Sequence, residues 1–212
     1  MKILLVAATS LELDPLLSHF QINQSTVNIQ GNSVSVLITG VGMTATAFAL
    51  GKALSSESYD LAINFGVAGA FDRSLKIAEV VSVNLDCFAE LGAEDGDNFI
   101  SIDQLELGKS SIKPAQLYNH ALLASTKIVK AITVNKAHGN DESIYRTVTR
   151  LNPQVESMEG AAFFYACNQV SLACLQIRAI SNYVERRNRE NWNIPLAIKN
   201  VNEVAIDLLK NL

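Results

Sequence analysis

The chain has 212 residues, enough for one well-cored domain, and about half of it is apolar. A net charge of −4 leaves no basic surplus to neutralise a nucleic-acid backbone, and no apolar run approaches a membrane span. Cys87, Cys167 and Cys174 have no metal-ligand spacing and fit a reducing compartment, so the chain reads as cytoplasmic, with no metal and no cofactor.

The first apolar run, Ile3 to Ala7, is too short for a signal peptide and suits a strand buried on both faces. Thr9 or Ser10 can cap a short helix through Leu17, with Glu12 in its first turn, where the helix dipole favours an acid. Ser25–Gln30 and Ser33–Thr39 read as a hairpin around Gly31-Asn32. Thr39-Gly40-Val41-Gly42 is a tight turn, and Met43–Leu54 an Ala-rich helix. Leu61–Phe65 is a second buried strand, with Gly66-Val67-Ala68-Gly69-Ala70 expected as a turn after it.

Ile77–Val83 is a further strand, and the irregular stretch from Asp86 to Gln116 is expected to form loops. Lys127–Val134 is a strand, Asp141–Arg150 a helix, and Met158 to about Gln169 an apolar helix introduced by Val155-Glu156-Ser157. Ala173–Ile180 is the last central strand, and Ser181–Asn191 a polar loop. Asn193 can cap the final helix, with Pro195 in its first turn. Strands alternating with helices, plus one hairpin, give a single-domain α/β sandwich with a mixed central sheet. Ligands bind such sheets beyond the carboxyl ends of strands, which marks Thr9–Glu12, Gly40–Gly42, Gly66–Ala70 and Ser181-Asn182.

Each segment has a plain structural explanation: a first-turn acid, a close backbone approach, a Ser-Asn turn. The glycine segments lack the spacing of a phosphate loop or of a dinucleotide fingerprint. His19, His120 and His138 show no ligand spacing. A carboxylate at the start of the Met158 helix can compensate the dipole, or can accept two hydrogen bonds from a vicinal sugar diol.

Taken together, the segments resemble the nucleoside phosphorylase/hydrolase superfamily. The likeness is carried by Met1–Glu12, Ile38–Met43, Asn64–Ala70, Val155–Ala162 and Arg178–Val184, in that order. It extends to methylthioadenosine/S-adenosylhomocysteine nucleosidases and, through Ser181-Asn182 followed by Arg186-Arg187 and Trp192, more closely to futalosine hydrolases of menaquinone biosynthesis. The resemblance implies a three-layer α/β/α sandwich, usually in a homodimer or larger homo-oligomer, acting on a small purine nucleoside with water. It places Glu12 as the water-activating acid, Met158 and Glu159 on the ribose, Asn182 on the base with Ser181 orienting it, and Val67, Ala68 and Gly69 in contact with substrate. The nucleosidases carry Asp where Asn182 stands. An amide has two N–H donors, which suits the acceptors N7 and O6 of hypoxanthine. Val67 replaces their Ser and offers no hydrogen bond, which favours water over phosphate as the attacking group.

The resemblance thus implies hydrolysis of futalosine to hypoxanthine and dehypoxanthinyl futalosine. An adenine-releasing nucleosidase, a phosphorylase and a non-catalytic nucleoside-binding protein stay open as alternatives.

Overall fold

The computed structural model describes residues 1–22 and 26–212. In chain order the elements are β1 (Lys2–Ala7), a 3₁₀ turn (Ser10–Glu12), α1 (Asp14–His19), β2 (Thr26–Ile29), β3 (Asn32–Ile38), α2 (Met43–Ser56), β4 (Leu61–Ala70) and β5 (Val80–Phe88). They continue with β6 (Gly92–Asp95), β7 (Asn98–Ser101), β8 (Ser111–Ile112), β9 (Lys127–Thr133), α3 (Asp141–Leu151), β10 (Val155–Ser157), α4 (Gly160–Gln169), β11 (Cys174–Tyr183) and α5 (Ile194–Lys210). The hairpin expected around Gly31 is present as β2 and β3; its expected start at Ser25 lies outside the described residues.

The main sheet runs β10-β9-β5-β11-β4-β1-β3-β2 and is mixed. Parallel pairs β1–β3, β1–β4 and β4–β11 form its centre, and β5 enters antiparallel to β11. One apolar core packs α5 and Leu13 and Leu16 against one face, and a second packs Phe163 and Phe164 of α4 and Leu50 of α2 against the other. This is the expected three-layer α/β/α arrangement. Among the described residues, no helix is long and apolar enough to cross a membrane.

One feature departs from a simple open sheet. Strand β10 pairs parallel with β9 and antiparallel with β4, so β4, β11, β5, β9 and β10 close into a ring. Gly66–Ala70, expected as a turn, is therefore strand. Past Asn64, β4 loses β1 as a neighbour and gains β10, while β11 continues along its other edge. Strand β11 likewise runs on to Tyr183, into the region expected as loop. A register shift between Ile180 and Asn182 leaves Ser181 unpaired against β4 and brings Asn182 opposite Gly69. Such bulges re-aim side chains beside active sites.

The stretch expected as loops from Asp86 also begins as strand. Asp86 is fully buried in β5, where Thr133 Oγ1 donates to it at 2.8 Å and Gln176 Nε2 at 3.0 Å. Those partners lie on β9 and β11, distant in sequence, so a residue that ordinarily breaks strands is satisfied inside one.

Candidate active site

A cavity of about 460 Å³ opens at the carboxyl ends of β1, β4 and β11 and at the start of α4. Its size is that of a small-molecule site. Glu12, Val67, Ala68, Gly69, Met158, Glu159, Ser181 and Asn182 all line it. The structure thus gathers around one space the eight residues to which the resemblance gives a catalytic or substrate-contacting place.

Glu12 ends the 3₁₀ turn that follows β1. Its Oε2 accepts from the backbone N–H groups of Ala8 at 3.1 Å and Thr9 at 3.0 Å, and its Oε1 from that of Val67 at 3.3 Å. Burial pushes its carboxyl above the ordinary range. The Arg178 guanidinium pulls the other way, the nearby Glu159 pushes further up, and the Thr9 and Val67 N–H groups lower it. A side chain at Gly66 would run into the Arg178 guanidinium and stand 2.7 Å from Glu12 Oε1. Glycine there leaves room for both charges.

Glu159 precedes the first residue of α4 and is 7% exposed. One oxygen accepts from the Gly42 N–H at 3.0 Å, the other from the Met158 N–H at 3.2 Å. Gly42 has φ +98°, a left-handed conformation that glycine adopts readily, which turns its N–H toward the carboxylate. Each oxygen keeps a further lone pair, so a diol can still be received.

Asn182 is held in one orientation. Ser181 Oγ donates to its Oδ1 at 2.7 Å, and its Nδ2 donates to the Tyr183 carbonyl at 3.0 Å. A flipped amide would face that carbonyl with an oxygen, so the bonds fix the assignment. One of the two N–H donors counted from the sequence is thereby engaged, and one is left for a ligand.

Three participants were not legible as site residues. Arg178, only 2% exposed on β11, puts a cation beneath the carboxylates and donates to Asn64 Oδ1. His138 and Glu156 also line the cavity and bond each other. The pair is 18 residues apart in sequence, which no local motif would join. Arg187 also lines the cavity, its guanidinium 5.0 Å from the Trp192 ring centroid.

Asp86 lies against the first residue of α4, where a side chain at Gly160 would run into its carboxylate, and burial pushes its carboxyl up to about 7. An unfolded Asp titrates near 3.8. The folded chain therefore holds a proton that the unfolded chain has lost across that interval. The stabilising contribution is fully present below about pH 4 and is lost as pH rises through about 7. Urea midpoints from pH 5 to pH 8 are expected to fall more steeply in the native protein than in Asp86→Asn. Parallel curves would show that Asp86 does not titrate in this range.

A second, larger cavity of about 710 Å³ is mainly apolar, lined by Met43, Phe48, Phe88, Leu91 and Tyr165 among others. Glu12, Glu159, Ser181 and Asn182 do not line it, so the chemistry is assigned to the first.

The sequence profile of the phosphorylase superfamily matches residues 2–212. A futalosine hydrolase from Thermus thermophilus is 26% identical over 176 residues, covering 80% of this chain and 78% of its own. Two solved structures share the fold. A futalosine hydrolase from Helicobacter pylori superposes with TM-score 0.84 at 15% identity, covering 100% of this chain and 98% of its own. A methylthioadenosine/S-adenosylhomocysteine nucleosidase from Colwellia psychrerythraea, solved with adenine, gives 0.82 at 19% identity, with coverage of 100% and 96%. With the family's sequence profile matched over residues 2–212, the chain belongs to the phosphorylase superfamily.

Proposed function

We propose that this protein hydrolyses the N-glycosidic bond of a 6-oxopurine nucleoside, with futalosine as the preferred substrate. The observation that carries the reading is the common cavity of Glu12, Glu159 and Asn182. When the C1′–N9 bond breaks, its electron pair leaves with the purine and positive charge builds on the sugar. Glu12 holds a water against C1′ and takes its proton as the new C–O bond forms. Glu159 receives the ribose hydroxyls and Met158 packs on the sugar, so that the water lies in line. The remaining Asn182 N–H donates to N7 or O6, where the negative charge of the leaving base spreads. An amide cannot give up a proton at this step, so the purine leaves as a hydrogen-bonded anion and is protonated afterwards by solvent.

Water, not phosphate, is the attacking group in this reading. Val67 brings no hydrogen-bonding side chain to the position, and the buried cation, Arg178, is already shared with Asn64 and carboxylates. Futalosine carries an aromatic carboxylate on its 5′ side, and Arg187 is the guanidinium at the cavity suited to it. Family membership and the futalosine hydrolase relative support this choice of substrate, and the family's habit of assembling supports a homo-oligomer.

Following free base from futalosine, inosine and methylthioadenosine, with and without phosphate, tests the reading. Phosphate-independent release from the first two supports it; release only with phosphate, or only of adenine, overturns it. Asn182→Asp is expected to weaken cleavage of inosine about tenfold more than of adenosine, the cost of turning a donor into an acceptor. Equal losses on both substrates would remove Asn182 from base recognition.

A further inference from the structure

The mechanism leaves Glu156 and His138 unused, although both line the reaction cavity. Glu156 is 6% exposed. Its Oε1 accepts from the His138 backbone N–H at 3.0 Å, and its Oε2 lies 2.6 Å from His138 Nδ1. The other ring nitrogen, Nε2, lies 2.9 Å from Thr147 Oγ1. Carboxylate and imidazole are each held at both ends, and each carboxylate oxygen retains an unused lone pair. A staple between loop and strand would account for the bonds to His138. It would not account for a carboxylate placed in the wall of the site.

The sheet register says what that carboxylate faces. Glu156 on β10 is paired with Gly69 on β4, and Asn182 on β11 is paired with the same Gly69. Residues paired across neighbouring strands point to one face. A donor and an acceptor therefore flank a position that has no side chain. A Cβ built on Gly69 would lie 2.9 Å from Val184 Cγ2, 3.2 Å from Asn182 Nδ2 and 3.5 Å from Glu156 Cγ, so the Asn182 and Glu156 side chains both pass close to the glycine, beside the Val184 methyl.

Resting on the nucleosidase reading above, we infer that Glu156 determines specificity by accepting the N1–H of a 6-oxopurine, with His138 as its positioning residue. Around one edge, a 6-oxopurine presents the acceptors N7 and O6 and then the donor N1–H. The order matches Asn182 followed by Glu156. Adenine presents an acceptor at N1, whose lone pair would point at the carboxylate. Asn182 cannot flip to compensate, because its oxygen would then face the Tyr183 carbonyl. Discrimination is thus shared by two side chains on different strands.

The test is steady-state cleavage of inosine and adenosine by the native protein, Glu156→Gln and His138→Ala, together with cleavage by the native protein of an inosine analogue in which N1–H is replaced by C–H. The kcat/KM ratio of inosine to adenosine is expected to fall about 10–100-fold in Glu156→Gln, the range of a hydrogen bond to a charged group. His138→Ala should lower the same ratio, which a purely structural staple would not do. The analogue should lose about tenfold or more against inosine. That arm decides the matter if Glu156→Gln does not fold. An unchanged ratio, or equal cleavage of analogue and inosine, overturns the role of Glu156 while inosine cleavage leaves the nucleosidase reading intact. Release of no base from any purine nucleoside by the native protein overturns both.

Discussion

Glu12→Gln is expected to lower kcat by roughly 10²–10⁴-fold, the usual worth of a positioned base, with KM little changed. The reason lies in the side chain's surroundings. Three backbone N–H groups hold the Glu12 carboxylate in place, at Ala8, Thr9 and Val67. A glutamine oxygen can keep the bonds to Ala8 and Thr9, but its NH₂ then meets the Val67 N–H, donor against donor. One long hydrogen bond is lost, worth about 1 kcal/mol, so the variant should still fold. What disappears is the proton acceptor. The pH profile provides a second readout. Burial raises the Glu12 carboxyl above 4.5, and a base works only when deprotonated, so the acid limb of kcat/KM should turn at a pH above that value. In Glu12→Gln the residual rate should lack this limb. Near-native turnover, or an acid limb that survives, would remove Glu12 as the base.

Much of the site could be read in the sequence because its parts sit where chain geometry puts ligand contacts. Glu12, Gly40–Gly42 and Ser181-Asn182 follow buried apolar runs, and Glu159 stands just ahead of an apolar helix. Periodicity and capping signals located β1, α2 and α5; Asn193 caps α5 as its sequence suggested, accepting from the Leu196 N–H. What could not be read depends on partners far along the chain. Gly66–Ala70 looks like a turn by composition and becomes strand because β11 pairs along it and β10 arrives from residues 155–157 to pair with Gly69 and Ala70. Asp86 looks like a loop residue until Thr133 and Gln176 supply its hydrogen bonds. His138 looks isolated until β10 brings Glu156 to it. In each case local propensity pointed one way and tertiary pairing decided otherwise.

Arg178 makes the same point in energetic terms and supports a prediction of its own. Nothing in the run Leu175–Ile180 distinguishes an arginine that packs inside the sheet from one that leans out to solvent. In the fold it is paired with Gly66 on one side and Val81 on the other, and its guanidinium fills the space a side chain at 66 would take. It lowers the carboxyl titration of both Glu12 and Asp86 against the push of burial. Removing one member of a buried charge cluster leaves the others uncompensated, which typically costs about 3–5 kcal/mol. Arg178→Met, close in length and apolar, is therefore expected to lose stability of that order in urea unfolding. Its loss should be larger at pH 8 than at pH 5, because the stranded carboxyls take up protons more readily at the lower pH. Neutralising Glu12 in the same chain should return part of the stability, so that Arg178→Met with Glu12→Gln is less destabilised than the two single changes added together. The acid limb of any remaining activity in Arg178→Met should also move to higher pH, since the cation that favours the ionised Glu12 is gone. Strictly additive stabilities and an unmoved acid limb would mean that the guanidinium serves only as packing beneath the cavity. Coupling between the two positions would tie the buried cation in the sheet to the titration of the carboxylate that faces the substrate.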